Sequence, residues 1–274
     1  MAQVTDRPLL LIAGHGERGG AGDNARLAAI TASVRGVLGG WDVRHGVLSG
    51  APSIEDAVSG AGGRPVVVWP FFMCRGYFIE AVSRRLQALG VAHELLRELG
   101  AAPEFVSTAR RMLATATDGT ARLVLVVAHG SGKGPQSRLA TQRFASDLAR
   151  CVPFSAVSCA FLEEPPFAAD AIAALPTGAG VVSLFAGDGL HGGRDMAALI
   201  ADSGRDDLNV VCPAADIDSV ARIAAGTVAE HGVAGTLEYE KGGSRAAREV
   251  PPPMPPRATS RRRPIDREPL RIRR

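Results

Sequence analysis

Long apolar runs alternate with amphipathic segments along the chain. The runs at 8–13, 64–72 and 121–130 are apolar at most positions, which predicts strands covered on both faces of a parallel sheet. The segments at 24–38 and 76–90 place apolar residues at helical spacing. This alternation predicts an α/β fold in which right-handed crossovers put helices on both faces of each sheet.

The same pattern predicts the remaining elements of the chain. Further strands are expected at 41–48, 92–99, 154–162, 178–187 and 207–212, and further helices at 52–61, 103–117, 135–151, 165–175, 191–204 and 216–230.

The second half of the pattern repeats the first. A strand delivers His15 to a glycine-rich loop, and a second strand delivers His129 to another such loop 114 residues later. Pro52 and Pro166 have the same offset. Two copies of one strand–helix unit explain this spacing, so we expect two similar lobes.

The basic charge is confined to the end of the chain. Residues 241–274 hold eleven Lys and Arg against three Asp and Glu, whereas residues 1–240 carry a net charge of −5. The basic segment is rich in proline and has no apolar periodicity, which predicts disorder. The alternative, a patch for nucleic acid or an acidic partner, is disfavoured because no aromatic residue accompanies the arginines. We therefore expect lobes at 1–119 and 120–235 and a disordered tail at 236–274.

The cysteines and the apolar runs bear on the compartment. Cys74, Cys151, Cys159 and Cys212 show no C-x-x-C spacing, which predicts reduced thiols and no structural zinc site. No uncharged apolar run approaches the ~18 residues of a membrane span. The N-terminal apolar run leads into His15 and is predicted to be a strand, not a signal peptide. We expect a cytoplasmic protein.

Three ligand-capable residues follow successive strands of the second lobe. His129, Glu163 and His191 are predicted at carboxyl ends of parallel strands, where α/β folds bind ligands. Two imidazoles and a carboxylate suit Co²⁺, Ni²⁺, Fe²⁺ or Zn²⁺ and leave positions open. The same groups take up protons near neutral pH. A reaction that exchanges N–H protons for a metal ion needs both abilities.

Other sites fit the sequence less well. The glycine-rich segments after His15 and His129 have neither phosphate-loop nor dinucleotide spacing, so no nucleotide cofactor is expected. No nucleophile elbow of the G-x-S-x-G kind follows a strand. The remaining histidines, His45, His93 and His231, are expected to be structural or surface residues.

Three motifs together resemble the class II tetrapyrrole chelatases of the CbiX type, the sirohydrochlorin cobaltochelatases and ferrochelatases. They are "HGS" at 129–131, "FLE" at 161–163 ahead of Pro166, and G-x-H-x-x-x-D from Gly189 to Asp195. The resemblance covers roughly residues 8–232 as two fused copies. It implies two α/β lobes facing each other across a cleft that holds a tetrapyrrole.

The resemblance also implies roles for individual residues. His129 and His191 would contact the metal, Glu163 would serve as base or ligand, and His15 is a further candidate metal ligand. The first lobe departs from the motif, because Ser49 stands at the position of Glu163 and Phe78 at that of His191. A single active site in the second lobe is therefore implied.

The implied function is ATP-independent insertion of Co²⁺, Fe²⁺ or Ni²⁺ into sirohydrochlorin or a related tetrapyrrole, in cobalamin or siroheme biosynthesis, by a monomer or homodimer. A non-catalytic metal- or tetrapyrrole-binding protein and an unrelated α/β enzyme are the alternatives. Two further sets of residues either contact the substrate or have an ordinary structural role. The aromatic set could pack the first lobe instead and the basic set could simply be solvated: Phe71, Phe72, Tyr77 and Phe78, and Arg18, Arg75, Arg138 and Arg194.

Overall fold

The structure is a computed structural model. It describes residues 7–16, 24–132, 134–151, 156–186 and 195–239, with only the backbone described at 195 and 233–239. His191 and the loop around it lie outside the described residues, as do residues 240–274 of the predicted tail. The tail is predicted to begin at residue 236, but the backbone of residues 236–239 continues a helix.

The first lobe is built on a four-stranded parallel sheet with the order β2-β1-β3-β4. Its strands are β1 (Leu9–Gly14), β2 (Asp42–Val47), β3 (Val66–Pro70) and β4 (His93–Leu95), and its helices are α1 (Ala25–Val37), α2 (Ile54–Val58), α3 (Tyr77–Ala88) and α4 (Pro103–Ala116).

The second lobe repeats this arrangement with the order β6-β5-β7-β8. Its strands are β5 (Leu123–Ala128), β6 (Ala156–Phe161), β7 (Gly180–Ser183) and β8 (Asn209–Val211), and its helices are α5 (Gln136–Arg150), α6 (Ala168–Ala173), α7 (Asp195–Ser203) and α8 (Ile217–Tyr239). The predicted α/β class with two similar parallel sheets is confirmed.

Two predicted strands are much shorter than expected. Strand β7 occupies only Gly180–Ser183 of the predicted 178–187. Of the stretch 92–99, only His93–Leu95 pairs with β3, and a 3₁₀ turn follows at Leu99–Ala101. Leu96, which precedes this turn, and Leu99 are buried in the core. Their hydrophobicity reflects burial, which does not require a strand.

Alternate residues of each central strand face two different cores. In β1, Leu10 and Ile12 belong to a core that also includes residues of the second lobe, whereas Leu9 and Leu11 face α2 and α3. Helices α4 and α5 join the lobes, and the ring centroids of Phe105 and Phe144 lie 5.8 Å apart. The lobes therefore share one hydrophobic core, within the compact unit Met1–Gly235.

The repeat extends to the backbone beyond β2 and β6. The amide of Val47 donates to the carbonyl of Pro52, and the amide of Phe161 donates to that of Pro166, at 2.9 Å in both lobes. Both prolines follow cis peptide bonds. Over the part of the chain that the structure describes, no helix is long and apolar enough to cross a membrane.

Candidate functional site

His129 directly follows the central strand of the second sheet. Strand β5 is buried through Ala128 and lies between β6 and β7. The strand order reverses at this point, so the loop after β5 lies where α/β sheets usually bind ligands. The His129 side chain is 35% exposed, which leaves its ring accessible from solvent.

Glu163 reaches the same point from the neighbouring strand. The backbone amide of Glu163 donates to the His129 carbonyl at 3.0 Å. The carboxylate Oε2 of Glu163 lies 3.5 Å from Nδ1 of His129. The structure thus brings together two of the three predicted groups of the second lobe.

The surroundings of His129 favour one tautomer. Its Nδ1 lies 3.2 Å from the Gly130 carbonyl as well as near the Glu163 carboxylate. Both neighbours are hydrogen-bond acceptors, so the Nδ1 proton is favoured and the lone pair resides on Nε2. Metal-binding histidines are commonly oriented in this way, by a carbonyl or carboxylate at the other ring nitrogen.

The third predicted ligand, His191, lies outside the described residues. Among the residues that are described, no group of three His, Cys, Asp or Glu side chains is arranged to hold a metal ion. His129 and Glu163 therefore form a two-residue part of the predicted site.

The equivalent position of the first lobe has a different neighbour. His15 follows β1, and its carbonyl accepts from the Ser49 amide at 2.9 Å, matching the bond between Glu163 and His129. Its ring meets that of Phe78 edge to face, with centroids 4.6 Å apart. In the sequence, Ser49 and Phe78 are the counterparts of Glu163 and His191, so the first lobe has a hydroxyl and a phenyl ring at these positions.

The four candidate aromatic residues divide into two pairs. Phe71 and Phe72 are each 7% exposed and pack in the two cores of the first lobe. Tyr77 and Phe78, at the start of α3, are 71% and 43% exposed. Phe78 stacks on Phe72 at 6.2 Å. The first pair packs the lobe, and only the second pair presents aromatic surface to solvent.

This aromatic surface lies near the second lobe. A methyl group added to Gly76, which precedes α3, would lie 3.9 Å from Cγ of Gln136 at the start of α5. Helix α5 follows the loop that carries His129. The rims of the two sheets therefore approach each other on this side.

Two of the candidate arginines are engaged within the chain. Arg75 pairs with Glu98 through Nε and Oε2 at 3.3 Å. Arg138 pairs with Glu164, a residue that sequence analysis did not single out. Arg18 and Arg194 lie outside the described residues.

The other histidines lie away from the pair of His129 and Glu163. His45 is in the middle of β2. Its pKa is lowered mainly by burial and to a smaller extent by the charge of Arg35. His93, at the start of β4, bonds Ser83 Oγ at 2.7 Å, and His231 lies 3.3 Å from Glu94. A surface depression of about 430 Å³ beside α3 is likewise lined by none of the candidate ligands.

Comparison with known proteins adds a set of solved structures. No protein-family model and no curated protein matches the chain. CbiX, described as the terminal enzyme for biosynthesis of siroheme in denitrifying bacteria, aligns with a TM-score of 0.69 and 27% identity, over 82% of this chain and 99% of that one. SirB from Bacillus subtilis with Fe³⁺ aligns with a TM-score of 0.64 and 18% identity, over 82% of this chain and 95% of that one. The sirohydrochlorin chelatase SirB from Bacillus subtilis subspecies spizizenii, in complex with cobalt, aligns with a TM-score of 0.61 and 18% identity, over 82% of this chain and 94% of that one.

Proposed function

We propose that this chain, which has the fold of the CbiX-type class II chelatases, inserts a divalent metal ion into sirohydrochlorin or a related tetrapyrrole. The single observation that carries the proposal is the pair of His129 and Glu163 at the switch point of the second sheet, in a fold shared with sirohydrochlorin chelatases. An imidazole and a carboxylate at one point supply both a metal ligand and a base.

The position of His191 in this site is inferred from the repeat. Phe78 is its counterpart in the first lobe at an offset of 113, and Phe78 contacts His15. This correspondence in sequence supports His191 as the third group of the site. We propose that His129, His191 and Glu163 form the metal-insertion site, with the ion as substrate.

The chemistry of these residues accounts for insertion without ATP. Nε2 of His129 is proposed to offer its lone pair to the ion, with the carboxylate of Glu163 3.5 Å from Nδ1 of the same ring. A metal-free tetrapyrrole releases two pyrrole N–H protons as one divalent ion enters. Glu163 accepts one proton and a histidine of the site accepts the other, so charge and protons balance.

The exposed rings of Tyr77 and Phe78 are proposed to contact one face of the macrocycle. They project from the start of α3, near the start of α5, so they lie on the side of the first lobe that approaches the His129 loop. Aromatic rings stack favourably on flat conjugated ligands. Whether His15, which touches Phe78, also takes part in metal binding stays a prediction.

The test is an absorbance assay of purified protein with sirohydrochlorin and Co²⁺, Fe²⁺ or Ni²⁺ in turn. We expect many turnovers per protein molecule with at least one ion, and His191→Ala should abolish insertion. His231→Ala is the matched control, because His231 pairs with Glu94 away from the site.

Each outcome of this assay separates the alternatives. Full activity in His191→Ala removes His191 from the site. Binding that stops at one equivalent without turnover indicates a non-catalytic metal- or tetrapyrrole-binding protein of the same fold. If the protein binds neither the metal ion nor sirohydrochlorin, the proposal is overturned. The ion inserted fastest decides between a cobaltochelatase and a ferrochelatase.

A further inference from the structure

Glu164 connects two loops at the edge of the second sheet. Its side chain is only 11% exposed, although it follows the half-exposed Glu163. The carboxylate Oε1 accepts a hydrogen bond from the backbone amide of Ser131 at 3.1 Å. Glu164 lies in the loop after β6, and through this hydrogen bond it fixes the loop after β5 in place.

Arg138 completes this connection from the first turns of α5. Its Nε donates to Oε2 of Glu164 at 2.9 Å, and its Nη2 donates to the same oxygen. Its guanidinium also lies 5.5 Å from the ring centre of Phe161, the last residue of β6. A buried carboxylate is stable only when its oxygens are paired, and here both are.

The contact is close enough to require a glycine. Gly130 has a φ of +74°, and a Cβ there would lie 2.8 Å from Cγ of Glu164. The side chain of Glu164 therefore lies against the backbone between His129 and Ser131. The amides of Leu162 and Glu163 both donate to the His129 carbonyl, so hydrogen bonds join the two loops on each side of Gly130.

The first lobe lacks this charged pair at the equivalent positions. At the 114-residue offset, Gly50 replaces Glu164 and Asn24 replaces Arg138. Asn24 instead donates to the Ala51 carbonyl at 2.6 Å. The lobe that has Ser49 in place of Glu163 thus also lacks the buried ion pair, while the backbone bond to the histidine carbonyl is kept in both lobes.

We propose that Glu164 and Arg138 are positioning residues, which hold His129 and Glu163 at the separation that metal binding requires. This inference rests on the proposed function. It also reassigns Arg138, because a guanidinium that is bonded to a buried carboxylate and lies over Phe161 is engaged away from the carboxylates of a substrate.

The test is calorimetric titration of the full-length protein with Co²⁺ alone. Removing a group that orients a metal ligand commonly costs about 10- to 100-fold in metal affinity. We expect Glu164→Ala to weaken Co²⁺ binding by this amount. Glu164→Gln should have a smaller effect, because the amide oxygen still accepts from one of the two donors while the amide NH2 replaces the oxygen that faced the other.

A charge reversal distinguishes positioning from simple ion-pair stability. In the double variant Arg138→Glu with Glu164→Arg the ion pair can re-form, but an arginine at 164 has no acceptor for the Ser131 amide. We expect thermal stability to recover in part while Co²⁺ affinity stays low. Recovery of full affinity would show that Ser131 need not be held.

The matched control is Asp207→Asn, which breaks the pair of Arg205 and Asp207 in the same lobe. Asp207 precedes the edge strand β8, whereas His129 follows the parallel strand β5, so the two residues lie at opposite ends of the strands. Its loss should leave Co²⁺ affinity unchanged. If Glu164→Ala and Asp207→Asn bind Co²⁺ equally well, the positioning role is refuted.

Failure of the proposed function would look different. If the unaltered protein shows no Co²⁺ binding that depends on His129, the proposed function fails, and hydrogen exchange at residues 129–132 then decides the structural part. Faster exchange of the Ser131 amide in Glu164→Ala supports the connection between the loops, and unchanged exchange overturns it.

Discussion

In the first lobe His15 contacts the ring of Phe78, whereas in the second lobe the equivalent His129 lies beside the carboxylate of Glu163. The backbones around the two histidines are the same, down to the amide that donates to each histidine carbonyl. The comparison teaches that strand order and loop geometry supply a place for a ligand. The side chains at a few loop positions then decide which chemistry takes place there.

Replacing each histidine in turn should give the largest difference between the lobes. We expect His129→Ala to lower the metal-insertion rate by more than about 100-fold, since it removes a proposed metal ligand. His15→Ala should change the rate much less, because the ring of His15 packs against Phe78. Steady-state rates with sirohydrochlorin and Co²⁺ are the measurement. Equal losses in the two variants would mean that both lobes hold the ion.

The glycines after the two histidines should differ in their effect on stability. A Cβ at Gly16, where φ is +98°, would lie 1.8 Å from the Ser49 carbonyl oxygen, a rigid backbone atom. At Gly130 the nearest atoms are Cγ of Glu164 and Cβ of Phe161, both 2.8 Å away and both in side chains. We expect Gly16→Ala to cost about 3 kcal/mol in the free energy of unfolding and Gly130→Ala about 1–2 kcal/mol. Urea denaturation checks the order, and a larger loss for Gly130→Ala would contradict it.

The aromatic surface of the first lobe gives a smaller effect, on substrate binding. We expect Phe78→Ala to weaken binding of metal-free sirohydrochlorin about 2- to 12-fold, because one stacked ring contributes roughly 0.5–1.5 kcal/mol. Co²⁺ affinity should stay the same. The measurement is an absorbance titration without metal. Unchanged tetrapyrrole binding in Phe78→Ala would place the macrocycle elsewhere.

The smallest expected difference lies within the sheets, at His45 in β2 and its counterpart Cys159 in β6. Burial lowers the pKa of His45 and raises that of Cys159 to about 11, so both are held neutral. A histidine whose pKa is lowered on folding binds its proton more readily when unfolded, so stability falls as the pH drops below about 6.5. Thermal unfolding between pH 7 and 5 should show a shallower decline for His45→Gln than for the unaltered protein. The thermal stability of Cys159→Ala should fall with pH as steeply as that of the unaltered protein. If the stability of all three proteins is independent of pH in this range, His45 does not contribute to the pH dependence.

Much of the fold follows from the sequence, because the signals are local. Strands such as β1 and β5 are apolar at nearly every position, and the 114-residue offset relates the two lobes. The structure has most strands within two residues of the expected ends. The exceptions are β7, which ends at Ser183, and the stretch after His93, where buried leucines beyond the strand resemble part of one.

The candidate site is less predictable than the fold. The histidine and carboxylate types that bind metal identify His129 and Glu163 as candidates. The approach of these two side chains follows from the parallel order of β5 and β6. Glu164 gives no such signal, because in the sequence it is one of two adjacent acidic residues. Comparison with Gly50 and Asn24 would have shown that Glu164 and Arg138 were gained together, but not that they touch.

By itself, the sequence determines the succession of strands and helices, the repeat, and the residue types at each strand end, because these depend on hydrophobic periodicity and local chain geometry. Only the tertiary structure decides that Glu163 faces His129, that Glu164 is buried against Gly130, and that Phe71 packs in the core while Tyr77 stays exposed. Those outcomes depend on contacts between residues far apart in the chain. Which of two neighbouring carboxylates meets the histidine and which meets the arginine is settled by the direction in which one loop leaves its strand.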